Sequence, residues 1–97
     1  MDINRLDLNL LRVFDAVYRH RSVSHAAEEL GLSQPAASQA VTRLRLLLGN
    51  ALFERVHGGV RPTPRAERLA LVVREALAAL EVGLGEAQDF DPRAARQ

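Results

Sequence analysis

The chain has 97 residues, with 13 basic side chains against 12 acidic ones, a net charge of +1. That length holds one small domain, or a small domain plus an appendage, and excludes a multidomain enzyme. The balanced charge argues against a broadly basic nucleic-acid coat protein. Cysteine is absent, which removes disulfides, thiolate metal sites and a cysteine nucleophile, and fits a reducing compartment. Every basic residue is Arg, the better side chain for bidentate contact with phosphate or guanine. Apolar runs such as Leu69 to Val73 fall far short of a membrane span, and Met1 to Arg5 carries no signal-peptide apolar stretch. Four aromatics, Phe14, Tyr18, Phe53 and Phe90, are expected to serve the core. A core this small is marginal unless a partner adds buried surface.

The first periodic segment runs from Leu8 to about His20. Leu10, Leu11, Phe14, Val17 and Tyr18 recur at helical spacing, and Arg12, Asp15 and Arg19 face away. Asp7 stands where an N-cap belongs, and Leu6 with Leu11 can form a hydrophobic staple. Ser22 opens a second, short helix with apolar Val23, Ala26, Ala27 and Leu30, closed by Gly31. Ser33 caps a third helix, with Pro35 in its first turn, where a missing N–H costs nothing. It runs through Ala37, Val41, Leu44 and Leu48 to Gly49. Leu52 to Val56 and Val60 to Pro62 then flank His57-Gly58-Gly59, which reads as a hairpin tipped by Gly58-Gly59, with Pro62 limiting the second strand to an edge. Thr63-Pro64 reads as an N-cap followed by Pro at the first helical position. A last helix continues to about Gln88, and Asp89 to Pro92 ends it.

The segment from Val23 to Leu44 carries the main signal. Ala27 lies four residues before Gly31, and a small residue there lets the third helix cross the second closely and steeply. Leu32 and Val41 are expected to fill the space between them. These offsets spell a helix-turn-helix, with an ordinary αα-hairpin in a bundle as the alternative. The hairpin that follows favours the first, because a two-stranded wing beside such a pair is a recurring DNA-binding design. At about 100° per residue, Ala37, Val41, Leu44 and Leu48 share one side of the third helix. The other side carries Pro35, Ser38, Gln39 and Thr42, flanked by Gln34, Ala36 and Arg43. Gln can bridge adenine N6 and N7, Ser and Thr donate or accept, and Ala and Pro can touch a thymine methyl. The helix start at Ser33 offers free N–H groups to a phosphate. Arg43 stands either against phosphate or in solvent, and Arg45 points toward the core edge.

Residues 6–65 resemble the N-terminal DNA-binding domain of LysR-type transcriptional regulators. The stretches that carry the resemblance are Leu8 to Leu11 with Phe14, Ser22 to Leu30, Leu32 to Gln39, Leu44 to Gly49, and Leu52-Phe53-Glu54-Arg55. Pro62 to Ala66 and Phe90-Asp91-Pro92 look like the branch that includes the nodulation regulators. The resemblance implies a mainly α fold: three helices and a two-stranded β wing over residues 1–62, a linker helix for dimerisation over 63–88, and a tail over 89–97. It implies that the third helix enters the major groove, with Gln34, Pro35, Ala36, Ser38 and Gln39 facing DNA and Arg55 at the base of the wing near the backbone. The sequence departs from the family at three places: Ala37 is small, Gln39 stands where Arg is frequent, and Gly58-Gly59 occupies a wing tip that often carries Arg. His57 and Arg61 flank that tip and are the substitutes for the missing Arg.

In the last helix Leu69, Val73, Ala76, Leu80, Gly83 and Ala87 are spaced four, three, four, three, four, and Leu77 and Leu84 widen the stripe. That is a coiled-coil-like seam, with Arg68, Arg74, Glu75, Glu81 and Glu86 expected opposite. A symmetric dimer would cover it; the alternative is a helix folded back on its own head. The resemblance implies an antiparallel pair of linker helices in a homodimer, and a partly palindromic T-N11-A site on double-stranded DNA. It also implies tetramers in a full-length regulator, and a small-molecule inducer bound by a C-terminal domain missing after Pro92.

His20, His25 and His57 share no metal-ligand spacing, and Ser33 and Ser38 lack a His/Asp relay. No cofactor, membrane contact or enzymatic activity is therefore expected, and the setting implied is the bacterial cytoplasm. A winged helix used only for protein contacts is the rival function. Residues 1–65 hold nine Arg against six acids, a net +3, and residues 66–97 hold four against six, a net −2. The overall +1 thus conceals a mildly basic head and an acidic strut.

Overall fold

A computed structural model describes residues 2–89. A single 3-10 turn over Ile3–Arg5 precedes α1 (Asn9–His20), α2 (Val23–Leu30), α3 (Gln34–Leu48), β1 (Phe53–Val56), β2 (Gly59–Pro62) and α4 (Pro64–Asp89). Phe90 and the predicted helix stop beyond Asp89 lie outside the described residues.

Local capping explains the boundaries. The Asn9 N–H donates to Asp7 Oδ1 at 2.9 Å, although α1 opens one residue later than the sequence predicts, with Leu8 in the N-cap position. Ser22 Oγ accepts from the His25 N–H and Ser33 Oγ from the Ala36 N–H, at 3.1 and 3.2 Å. Gly31 and Gly49 end α2 and α3 in the left-handed region. The Leu32 N–H donates back to the Ala27 carbonyl at 2.9 Å, so the glycine turn closes as a Schellman motif. Thr63 Oγ1 accepts from the Ala66 N–H and donates to the Ala51 carbonyl at 2.9 Å. The residue that starts α4 thus also anchors it to the segment entering β1.

Two apolar clusters lie on either side of α1. Val13, Ala16, Val17, Ala26, Ala27 and Ala37 form one, and the alanines let α2 and α3 approach closely. Ala37 is fully buried there despite its size. Leu10, Phe14, Leu44 and Leu52 form the other, closed by Ala66, Ala70 and Val73 of α4. Ala40 and Phe53 pack against both. Leu32 does not join Val41 in the gap between α2 and α3: it is 40% exposed, because its backbone is used to close the turn and its side chain is left at the surface.

The burial of α4 corrects the sequence reading of that helix. Val73 is 2% exposed against the chain's own head, and Leu69 and Leu77 pack there in part. The first half of the predicted seam is therefore filled from within the chain, as in the folded-back alternative. Arg74 and Glu81 do not face away: Arg74 Nε lies 3.5 Å from Asp15 of α1, and Glu81 lines a cleft with Asp15 and Arg19. The outward side instead carries Leu71, Val72 and Val82, each more than 60% exposed. Beyond the head, Ala76, Leu80, Gly83 and Leu84 are exposed; Ala87 belongs to the helix, but its side chain lies outside the described residues.

Charged groups tie the helices together at the surface. Arg19 bonds Asp15 at 2.9 Å and Glu29 of α2 at 2.6 Å, and His20 Nε2 lies 2.7 Å from Glu29. The Arg19 guanidinium, followed by His20, holds the Glu29 carboxyl down to about 2, while Arg19 is itself raised above its ordinary value. A carboxylate depressed on folding stabilises above its unfolded value and loses that contribution as pH falls. Thermal melts should therefore show the midpoint falling between pH 4.5 and about 2. Glu29→Gln should flatten that slope; an unchanged slope in the variant would show that the pair contributes nothing.

Candidate nucleic-acid interface

The exposed side of α3 is built by the burial of its other side. With Ala37 and Leu44 locked into the two clusters, Gln34, Pro35, Ser38, Gln39, Thr42 and Arg43 are left exposed. Ala36 is half-buried, and the Ser33 hydroxyl is committed to the helix cap. From Pro35 to Thr42 the helix rises about 10 Å, close to the width of a major groove. Its face holds amide and hydroxyl groups and one guanidinium, with no acid among them. Leu46 continues this side at 67% exposure. It lines a shallow cleft with Ser38, Gln39, Thr42 and Arg43. Its spacing of four from Thr42 was the available signal.

The wing stands beside this face. β1 and β2 pair antiparallel with Glu54 opposite Arg61, Arg55 opposite Val60 and Val56 opposite Gly59. This register makes His57-Gly58 the two-residue turn and draws Gly59 into the strand, so the tip is one residue earlier than predicted. His57 has no positive φ and Gly58 has one of 84°, the pattern of a type II turn, which needs a glycine-like residue at its third position. A cleft of about 380 Å³ separates the wing from the helices, lined by Ser22, Ser24, Gln34, Ser38 and Arg55 along with the strand backbone. The fold thus brings Arg55 alongside Gln34 and Ser38. Ser22 and Ser24 are the polar residues of this cleft that the sequence does not single out for contact.

Ion pairing sorts the arginines. Arg19, Arg21, Arg61 and Arg74 each face an acid, and Arg61 is held to Glu54 at 2.7 Å. Arg61 is thus neutralised within the wing rather than extended from its tip. Arg5, Arg12, Arg43, Arg45, Arg55, Arg65 and Arg68 have no acidic partner among the described residues; of these, Arg43, Arg45 and Arg55 lie on α3 and β1 and are exposed. Arg45 therefore lies in solvent, not at the core edge. Uncompensated positive charge thus stands on α3 and β1, beside the uncharged face, as well as on the N-terminal turn, α1 and α4. His57 is exposed at the turn. Among the described residues, no group of three His, Cys, Asp or Glu could hold a metal ion, and no helix is long and apolar enough to cross a membrane.

Two helices crossing at a glycine turn, the second presenting a hydrogen-bonding face beside an antiparallel hairpin, define a winged helix-turn-helix. Residues 8–67 match the family model described as bacterial regulatory helix-turn-helix protein, lysR family. The chain belongs to that family. It is 49% identical over 92 residues to the HTH-type transcriptional activator NahR of Pseudomonas putida, covering 95% of this chain and 31% of NahR. The crystal structure of a probable transcriptional regulator from Pseudomonas aeruginosa superposes with a TM-score of 0.83 at 55% identity, covering 87% of this chain and 28% of that one. The BenM DNA-binding domain in complex with catB site 1 DNA gives a TM-score of 0.82 at 27% identity, covering 88% and 96%. The chain spans about a third of the length of the curated relative NahR.

Proposed function

We propose that this domain binds double-stranded DNA sequence-specifically, as the reading head of a bacterial LysR-type transcriptional regulator. The observation that carries the reading is the uncharged face Pro35-Ser38-Gln39-Thr42, bordered by the unpaired guanidiniums of Arg43 and Arg55. Gln34, Ser38, Gln39 and Thr42 read base edges, Pro35 and Ala36 meet thymine methyls, and Arg43 and Arg55 bind phosphate. Ser33 sets the helix start, and His57 and Arg61 stand at the wing. Residues 1–62 form the head, 63–88 the linker helix and 89–97 a tail.

The chain acts as a homodimer through the part of α4 that leaves the head, where Ala76, Leu80, Gly83 and Leu84 are exposed. Two recognition helices then meet half-sites about one DNA turn apart, in a partly palindromic T-N11-A site. A full-length regulator would assemble further, to a tetramer, and bind its inducer in a separate C-terminal domain, in the cytoplasm where the chromosome lies. The relatives are transcriptional regulators, and binding rather than catalysis is the role assigned here.

Fluorescence anisotropy at about 0.15 M salt tests this reading, with a T-N11-A duplex against a scrambled one. Expected are preference for the first by at least a thousandfold, typical of specific over non-specific sites, and two chains per duplex. Equal affinities overturn specific readout, and one chain per duplex overturns the dimer.

A further inference from the structure

The wing is not held by its own hairpin alone. The β2 edge that does not face β1 meets the turn between α1 and α2, where the Val60 N–H donates to the Arg21 carbonyl at 3.0 Å. The approach is so close that a Cβ on Gly59 would collide with that same carbonyl oxygen, which is backbone and cannot swing aside. Arg21 has the only left-handed backbone of any non-glycine residue described, with φ 54°. That conformation is strained for an L-residue and persists only where the surroundings hold it. Here they do: the guanidinium lies 4.5 Å from the centre of the Tyr18 ring and 3.9 Å from Glu67 in the first turn of α4. The Tyr18 hydroxyl donates to the same Glu67 at 2.7 Å.

We infer that Arg21 and Gly59 are a positioning pair that sets where the wing stands relative to α3. The Arg21 backbone fixes the strand, its side chain fixes the backbone against α1 and α4, and the missing side chain at residue 59 permits the contact. Neither residue touches DNA in this inference. Its consequence for binding rests on the proposed reading that the wing contacts the duplex, whereas the joint itself does not.

Gly59→Ala tests the pair on the whole chain. The expected result is unchanged helix content, about a tenfold loss of affinity for the T-N11-A duplex, and loss of hydroxyl-radical protection under the wing while protection under α3 persists. Arg21→Gly keeps the carbonyl but releases the side-chain hold on it, so alone it should weaken protection under the wing, by less than Gly59→Ala does. Combined with Gly59→Ala, it should recover part of the lost protection, because a glycine at residue 21 lets the carbonyl yield. Wild-type binding and full wing protection in Gly59→Ala overturn the inference, as does a double variant no better than the single one. If Gly59→Ala does not fold, amide exchange of Val60 in the parent chain decides: slow exchange supports the joint and exchange at solvent rate overturns it. A parent chain that shows slow Val60 exchange but no protection under the wing would overturn the wing's contact with DNA and leave the joint standing.

Discussion

Phe14→Ala should melt on the order of 20 °C below the parent chain. Phe14 is 1% exposed, its ring centre lies 5.5 Å from that of Phe53, and it shares a cluster with Leu44 of α3 and Val73 of α4. Truncating a buried Phe costs about 3–5 kcal/mol, out of a total stability of about 5–15 kcal/mol for a whole domain. In a domain of this size each kcal/mol is worth about 4–8 °C. One side chain therefore supports three junctions: α1 with α3, α1 with the wing strand, and α1 with α4. Circular dichroism melts check this, with Leu46→Ala as the comparison. Leu46 is 67% exposed, so its truncation should change stability by less than about 0.5 kcal/mol. A shift of under 5 °C for Phe14→Ala would show that Phe14 does not hold these three junctions together.

Substitutions on α3 and on the wing should differ in kind. If Gln34 and Ser38 read bases as proposed, Gln34→Ala or Ser38→Ala should lower the ratio of specific to scrambled affinity by about 1–3 kcal/mol while scrambled binding holds. Arg55→Ala removes the proposed phosphate contact. It should weaken both duplexes alike and lower the slope of log affinity against log salt by about one. Titrations of each variant at several salt concentrations separate the two patterns. Arg55→Ala altering the ratio, or Gln34→Ala altering both affinities equally, would reverse the assigned roles. Both residues line one cleft, so the difference tests the chemistry of each side chain and not its location.

The helices of the head were legible because their signals are local. Ser22 and Ser33 cap the helices that follow them, Gly31 and Gly49 end those helices, and Thr63-Pro64 opens the last one. The inward and outward sides of α3 followed from helical periodicity alone. The turn position was less legible, because the local preference for two-residue hairpins favours Gly58-Gly59 over the observed His57-Gly58. What selects the observed turn is the fit of Gly59 against the Arg21 carbonyl, which comes from 38 residues away in sequence.

The linker helix marks the boundary most clearly. Periodicity identified an apolar stripe from Leu69 onward, but periodicity has no information about what covers a stripe. The folded chain lays its first half, Ala66 to Leu77, on the head and leaves Leu80 and Leu84 beyond it. Likewise, sequence spacing could not show that Arg19, Arg61 and Arg74 are paired within the chain while Arg43 and Arg55 stay unpaired beside α3. By itself the sequence determined the elements, most of their caps, the outward face of α3 and the family resemblance, all set by groups within a few residues of one another. The tertiary structure alone decided which apolar surface is already covered, which charges are cancelled and where the wing stands, because these depend on contacts between residues far apart along the chain.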